Sequence, residues 1–164
     1  MGKRDKRMYG VILEKGEKCY TYLAKVFTAI NDVQKNYNWL ITDCVCYPQT
    51  NKFEELLSKD YCWLSGEELT EIVEKEDFQW IWAVLSGFEK NIMLEDILKF
   101  PLPYIDGYVG FWKNPISIQH PLATVEIVPW DSSLTLMISK ESKIVSDFKK
   151  TFPLSEDLAF YNER

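Results

Sequence analysis

Among 164 residues the chain has a single histidine, His120, and four cysteines, Cys19, Cys44, Cys46 and Cys62. Any mechanism that moves protons through an imidazole therefore has one residue to use. His120 stands before Pro121, with no serine or cysteine beside it as a nucleophile, and a loop histidine of this kind more often serves structure than catalysis. The cysteines form no C-x-x-C, and one histidine is too few to complete a zinc set with them. Four unlinked, metal-free, reduced side chains are expected. Cys44 and Cys46 lie two apart on a predicted strand and so face the same side. No apolar run approaches the roughly 18 residues of a membrane span. The basic start, residues 1–7, is followed by no signal-like apolar region, which points to a cytoplasmic protein. G-x-G-x-x-G and a P-loop lysine are both missing, so neither nucleotide-binding loop is present. No cofactor is expected. There is no internal repeat and no low-complexity segment.

What is present is apolar, aromatic and acidic. The apolar fraction is 46% and the charged fraction 27%, ordinary for a globular chain. At this length one domain spanning 1–164 is expected, large enough for a real core. The aromatic share of 15% is high enough that some rings should lie at the surface or at an interface. The net charge of −6 is uneven: residues 3–7 carry four basic groups and one acid, and residues 53–77 carry nine acids against Lys59 and Lys75. Such a field repels nucleic acid and anionic membranes, attracts a basic protein, or serves only solubility.

The clearest local signals adjoin one another. Ser65 followed by Glu68 is a capping box. Leu69, Ile72 and Val73 then form an apolar stripe at helical spacing, and Glu67, Glu71 and Glu74 project from the opposite side. Phe78 and Trp80–Leu85 are apolar at every position, the pattern of a central strand covered on both faces, with Ile81, Ala83 and Leu85 buried, Trp80 and Trp82 largely covered, and Ser86-Gly87 ending or bending it.

Other strands are expected at Met8–Leu13 and Trp39–Tyr47, and a hairpin at Ala123–Val128 and Ser133–Ser139. Helices are expected over about Cys19–Asp32, briefly at Phe53–Leu57, after an Asn91 cap, and after a Ser139 cap. Tyr61–Leu64 reads as a short strand or the lead into the capped helix. Phe100–Pro121, with four prolines and two glycines, reads as irregular, and residues 154–164 as a polar tail. The order suggests an α+β fold: a mixed or mostly antiparallel sheet of about five strands with helices packed on it.

No catalytic constellation emerges. Asp131-Ser132-Ser133 has residue types that a hairpin turn needs anyway, and paired carboxylates such as Glu54-Glu55 and Glu67-Glu68 look solvated rather than perturbed. The aromatic group holding Tyr104, Tyr108 and Trp112 either closes one end of the sheet or supplies interface anchors. The Glu67, Glu71, Glu74 face is either a solvated helix back or a docking surface for a basic protein.

The order of Tyr-Asn-Trp-Leu-Ile at 37–41, Leu-Ser-Gly-Glu-Glu-Leu at 64–69, the aromatic strand at 78–85 and Trp-Asp-Ser-Ser-Leu-Thr-Leu-Met-Ile-Ser-Lys at 130–140 resembles small acidic bacterial proteins. In general character the chain is similar to immunity proteins of polymorphic-toxin and contact-dependent growth inhibition systems. The resemblance implies a non-enzymatic cytoplasmic protein that binds one cognate basic toxin domain, often a nuclease, and occludes its active site. It carries over no binding residue. Glu67, Glu71, Glu74, Tyr104, Tyr108 and Trp112 are the candidates that physical reasoning supplies. A small enzyme using His120 with a carboxylate, and a general protein-interaction module, stand as alternatives.

Overall fold

The computed structural model describes residues 7–164, so the basic start expected at 1–7 lies, but for Arg7, outside the described residues. Among the described residues, seven strands form one antiparallel sheet: β1 (Tyr9–Leu13), β2 (Tyr37–Cys46), β3 (Tyr61–Ser65), β4 (Trp80–Glu89), β5 (Val125–Trp130), β6 (Leu134–Ser139) and β7 (Glu156–Asp157). Their spatial order is β3-β2-β4-β5-β6-β1-β7. The α+β class is as expected, but the count of about five strands is corrected to seven. Both added strands are short edge pieces. β3 pairs five residues with β2, and β7 pairs two residues of the C-terminal stretch with β1. At Tyr61–Leu64 the structure adopts the short strand, one of the two readings of that stretch, whereas β7, two residues long, carries too little periodicity to read from sequence.

Helices α1 (Leu23–Ala29), α2 (Asn51–Leu57), α3 (Gly66–Lys75) and α5 (Ser142–Thr151) bear on one face of the sheet. There Val26 and Phe27, Leu69 and Val73, and Val145 and Phe148 pack with Trp39, Ile41, Trp80 and Leu85. The capping box at α3 forms in full: Ser65 Oγ accepts from the Glu68 N–H at 3.0 Å, and Glu68 accepts from the Ser65 N–H at 2.9 Å. Gly66 follows because α3 starts against main chain. A Cβ there would lie 2.1 Å from the Gln34 carbonyl oxygen.

Among the described residues, no long helix lies over the opposite face. The irregular segment after α4 (Leu94–Ile97) folds across it, placing Ile105, Phe111, Ile118 and Ala123 on Leu40, Val84, Phe88 and Val128. The C-terminal stretch adds α6 (Leu158–Tyr161), whose Leu158 is fully buried in the same cluster. The predicted polar tail is therefore a strand and a helical turn.

The central strand is longer and less regular than expected. β4 runs through Ser86-Gly87 to Glu89. Gly87 does not end it: a Cβ there would come within 3.0 Å of the Trp39 ring and 2.6 Å of Val125, so this glycine makes room for a core tryptophan. The β2–β4 register slips between Thr42 and Val45 and again between Val45 and Cys46, with Asp43 in the left-handed region at φ 50°. The slips reverse which side alternate residues face. Trp80 packs under the helices while Trp82 turns to the other face. Trp80, Ala83 and Leu85 are fully buried, but Ile81 and Trp82 are only half-buried, which corrects the expected burial of Ile81.

Candidate binding cleft

The slip in β2 and β4 opens one side of the sheet. Asp43 and Val45 from β2, Trp82 from β4 and Trp130 from the end of β5 form one wall of a cleft of about 550 Å³. The segment Ile105–Val109 and Trp112 form the other. The volume is in the range of a small-ligand or side-chain pocket.

Each wall is held by identifiable contacts. Residues Asp131 and Ser132 at the β5–β6 turn both have positive φ, 52° and 59°, as a tight hairpin turn of right-handed twist requires. The Ser132 N–H donates to the Ile81 carbonyl at 3.1 Å, tying the turn to the irregular part of β4. That places Trp130 edge-to-face with Trp82, centroids 5.0 Å apart, and edge-to-face with Trp112 at 5.7 Å. On the far wall the Ile105 N–H donates to the Asp43 carboxylate at 2.7 Å. Gln119 brackets Tyr104, donating to its carbonyl and accepting from its N–H, both at 2.9 Å. Tyr108 stacks edge-on to Phe111 beneath it and to the exposed Tyr104. The charged residues among the cleft's lining are Asp43 and Asp106, both acidic. An apolar aromatic wall with carboxylates at its rim suits a cation, which ring faces attract by about 0.5–2 kcal/mol.

The six candidate residues do not form one surface. Tyr108 and Trp112 line the cleft, and Tyr104 is an exposed neighbour of Tyr108. Glu67, Glu71 and Glu74 ride on α3, whose buried side packs on the opposite face of the sheet. Their charge is partly used locally. Lys90 bridges Glu67 at 2.6 Å and Lys75 bridges Glu71 at 2.7 Å, each hydrogen bond holding the carboxyl below its ordinary range. Two other acids of the run serve structure: Glu68 completes the capping box, and Glu76 accepts from the N–H groups of Gln49 and Thr50. Trp82, Trp130, Asp43 and Asp106 are among the cleft residues that sequence reasoning missed. The every-position apolar run at Trp80–Leu85 held no signal for Trp82, because a strand covered on both faces reads the same way; the register slip that turns this ring to the cleft is not local.

The two remaining titratable groups of interest are sealed. His120 is 2% exposed. Its Nε2–H donates to the Ile97 carbonyl at 2.9 Å and its Nδ1 accepts from the Leu122 N–H at 3.1 Å, so both ring nitrogens are occupied by main chain. Burial lowers its pKa, consistent with the neutral tautomer these bonds need. Glu126, on β5 beneath the irregular segment, is fully buried and accepts from the Gln119 N–H at 3.0 Å. Burial raises its carboxyl to about 8. Among the described residues no group of three or more His, Cys, Asp or Glu could hold a metal ion, and no helix is long and apolar enough to cross a membrane.

No curated protein and no solved structure matches the chain. One family model does: DUF2691, a family described as protein of unknown function, matches residues 8–101. That is more than half of the chain, which belongs to this family. The matched segment contains Asp43, Val45 and Trp82 but stops before Tyr108, Trp112 and Trp130.

Proposed function

We propose that this member of a family with no assigned activity is a non-catalytic binding protein that takes a basic segment of a partner protein into the tryptophan cleft. The observation that carries the reading is the convergence of Trp82, Trp112 and Trp130 on an open recess in which Asp43 and Asp106 are the charged lining residues. A lysine or arginine side chain is the occupant of matching chemistry: its stem covers ring surface and its charge meets both ring faces and carboxylates. Tryptophan and tyrosine are also the residues that most often dominate interface energetics. The acids of α3, on the helical face of the sheet, then act at long range by steering a basic partner rather than by contact.

In its most specific form the partner is a basic toxin domain, possession of a cognate immunity protein protects the producing cell, and binding occurs in the cytoplasm by occlusion of the toxin's active site. The resemblance described above supports that form; the cleft supports the broader one. Tryptophan fluorescence of the full chain, titrated with a lysine- and arginine-rich peptide and with an acidic peptide of equal length, tests the broader reading. A saturable, salt-weakened response to the basic peptide alone is expected, lost in Trp112→Ala; equal responses to both peptides would remove the proposal. Co-expression with the product of the adjacent reading frame, scored by growth, tests the specific form.

A further inference from the structure

We propose that Cys44 and Cys46 form a thiol–disulfide exchange site that small-molecule disulfides oxidise to an intramolecular bridge. The inference is independent of the cleft's function. The two Sγ atoms already lie 3.6 Å apart, on the stretch of β2 where the register slips and Asp43 takes a positive φ. In a regular strand, positions two apart have Cα atoms about 6.8 Å apart, the upper limit of what a disulfide spans. A strand that is irregular here has the slack to close that distance, where a fully paired one does not. The stretch is also open on one side, because β3 pairs with β2 only as far as Thr42. Both cysteines are half-exposed, and Cys44 borders a surface recess with Lys59 and Tyr104.

The two thiols act as a unit. The sulfurs share one hydrogen bond in which either can be the donor, so ionising one thiol leaves the other as its hydrogen-bond donor, and one serves as attacking thiolate while the other resolves. One thiolate of the pair attacks one sulfur of RSSR; the RS–SR bond breaks and one RS⁻ leaves. The other thiol then gives up its proton and attacks the protein sulfur of the mixed disulfide, expelling the second RS⁻. Two protein thiols are oxidised, one disulfide is reduced to two RSH, and the two protein protons end on the leaving thiolates. Cys62 takes no part: it is buried, and burial pushes its thiol up to about 11.

The test uses the full chain carrying Cys19→Ser, since Cys19 is exposed and would react on its own account. The folded protein is incubated with oxidised glutathione, quenched in acid and mapped by mass spectrometry. The expected product is a Cys44–Cys46 bridge, two hydrogens lighter, with no stable adduct. Cys44→Ser and Cys46→Ser should each trap glutathione on the remaining cysteine of the pair as a stable adduct. Accumulation of glutathione adducts on both cysteines of the Cys19→Ser protein, or no reaction at either, would overturn the proposal. Unchanged circular dichroism of each variant guards against reading unfolding as reactivity.

Discussion

Ser86 and Glu126 face each other across β4 and β5, both wholly buried, and neither Ser86 Oγ nor Glu126 Oε1 has a hydrogen-bond partner among the described residues. A carboxylate in that position would be desolvated with one oxygen unpaired, and burial keeps it protonated instead. Its negative charge would also bear on Tyr108, whose hydroxyl pKa is raised by burial and then by Glu126.

The pH dependence of stability follows. Glu126 has a folded-state pKa of about 8 against an ordinary 4.5, so its contribution is complete below about pH 4.5. It is lost as pH rises toward 8, because the unfolded chain releases its proton first. The full loss is roughly 4–5 kcal/mol. Glu126→Gln should be the more stable protein at pH 8–9 and lose this slope. Urea unfolding across pH 4.5–9 measures it; a wild-type profile that stays flat over that range, and is unchanged by the substitution, would contradict the burial argument.

His120 acts with the opposite sign. Burial depresses its pKa, so its contribution is complete above about 6.5 and is lost as pH falls through the lower folded value. Between about pH 6.5 and 4.5 the two groups oppose each other, and the single variants separate them. His120→Phe keeps an aromatic ring against Phe88 and Phe100 but leaves the Ile97 carbonyl and the Leu122 N–H unpaired. It should cost about 1–3 kcal/mol per orphaned group at neutral pH and remove the acid-side loss.

The two tryptophans of β4 should respond differently to truncation. Trp80→Ala empties a fully buried site and should cost about 3–5 kcal/mol. Trp80→Phe should cost much less, because the indole N–H has no partner among the described residues. Trp82 is half-buried at the cleft, so Trp82→Ala should fall below the Trp80→Ala value in chemical denaturation. Equal losses would mean that the cleft is closed in solution.

The cleft and the α3 acids make separable contributions to binding. Trp112→Ala or Trp130→Ala should raise the dissociation rate of a basic partner by about tenfold or more, near the 2 kcal/mol of an interface anchor. Reversal of Glu67, Glu71 and Glu74 to Lys should leave dissociation unchanged and slow association, an effect that salt removes. Surface plasmon resonance at two ionic strengths distinguishes them. If the triple reversal changed dissociation instead, the interface would lie on the helical face.

The sequence alone determined the class of fold, the α3 capping box and the apolar stripes, because these are local: a hydroxyl three residues before a carboxylate, or apolar side chains at a helical repeat, act through neighbours along the chain. Leu69 and Val73 are buried and Glu67, Glu71 and Glu74 exposed, as their spacing requires. Tertiary structure decided what depends on register. Two slips between β2 and β4 reversed the facing of Trp82 relative to Trp80, and the β5–β6 turn set Trp130 beside Trp112. It also divided the acidic and aromatic candidates between opposite faces of the sheet. A slip of one residue leaves composition and periodicity almost unchanged but moves every later side chain to the other face, so pairing across strands 40 residues apart, not any local pattern, built the cleft.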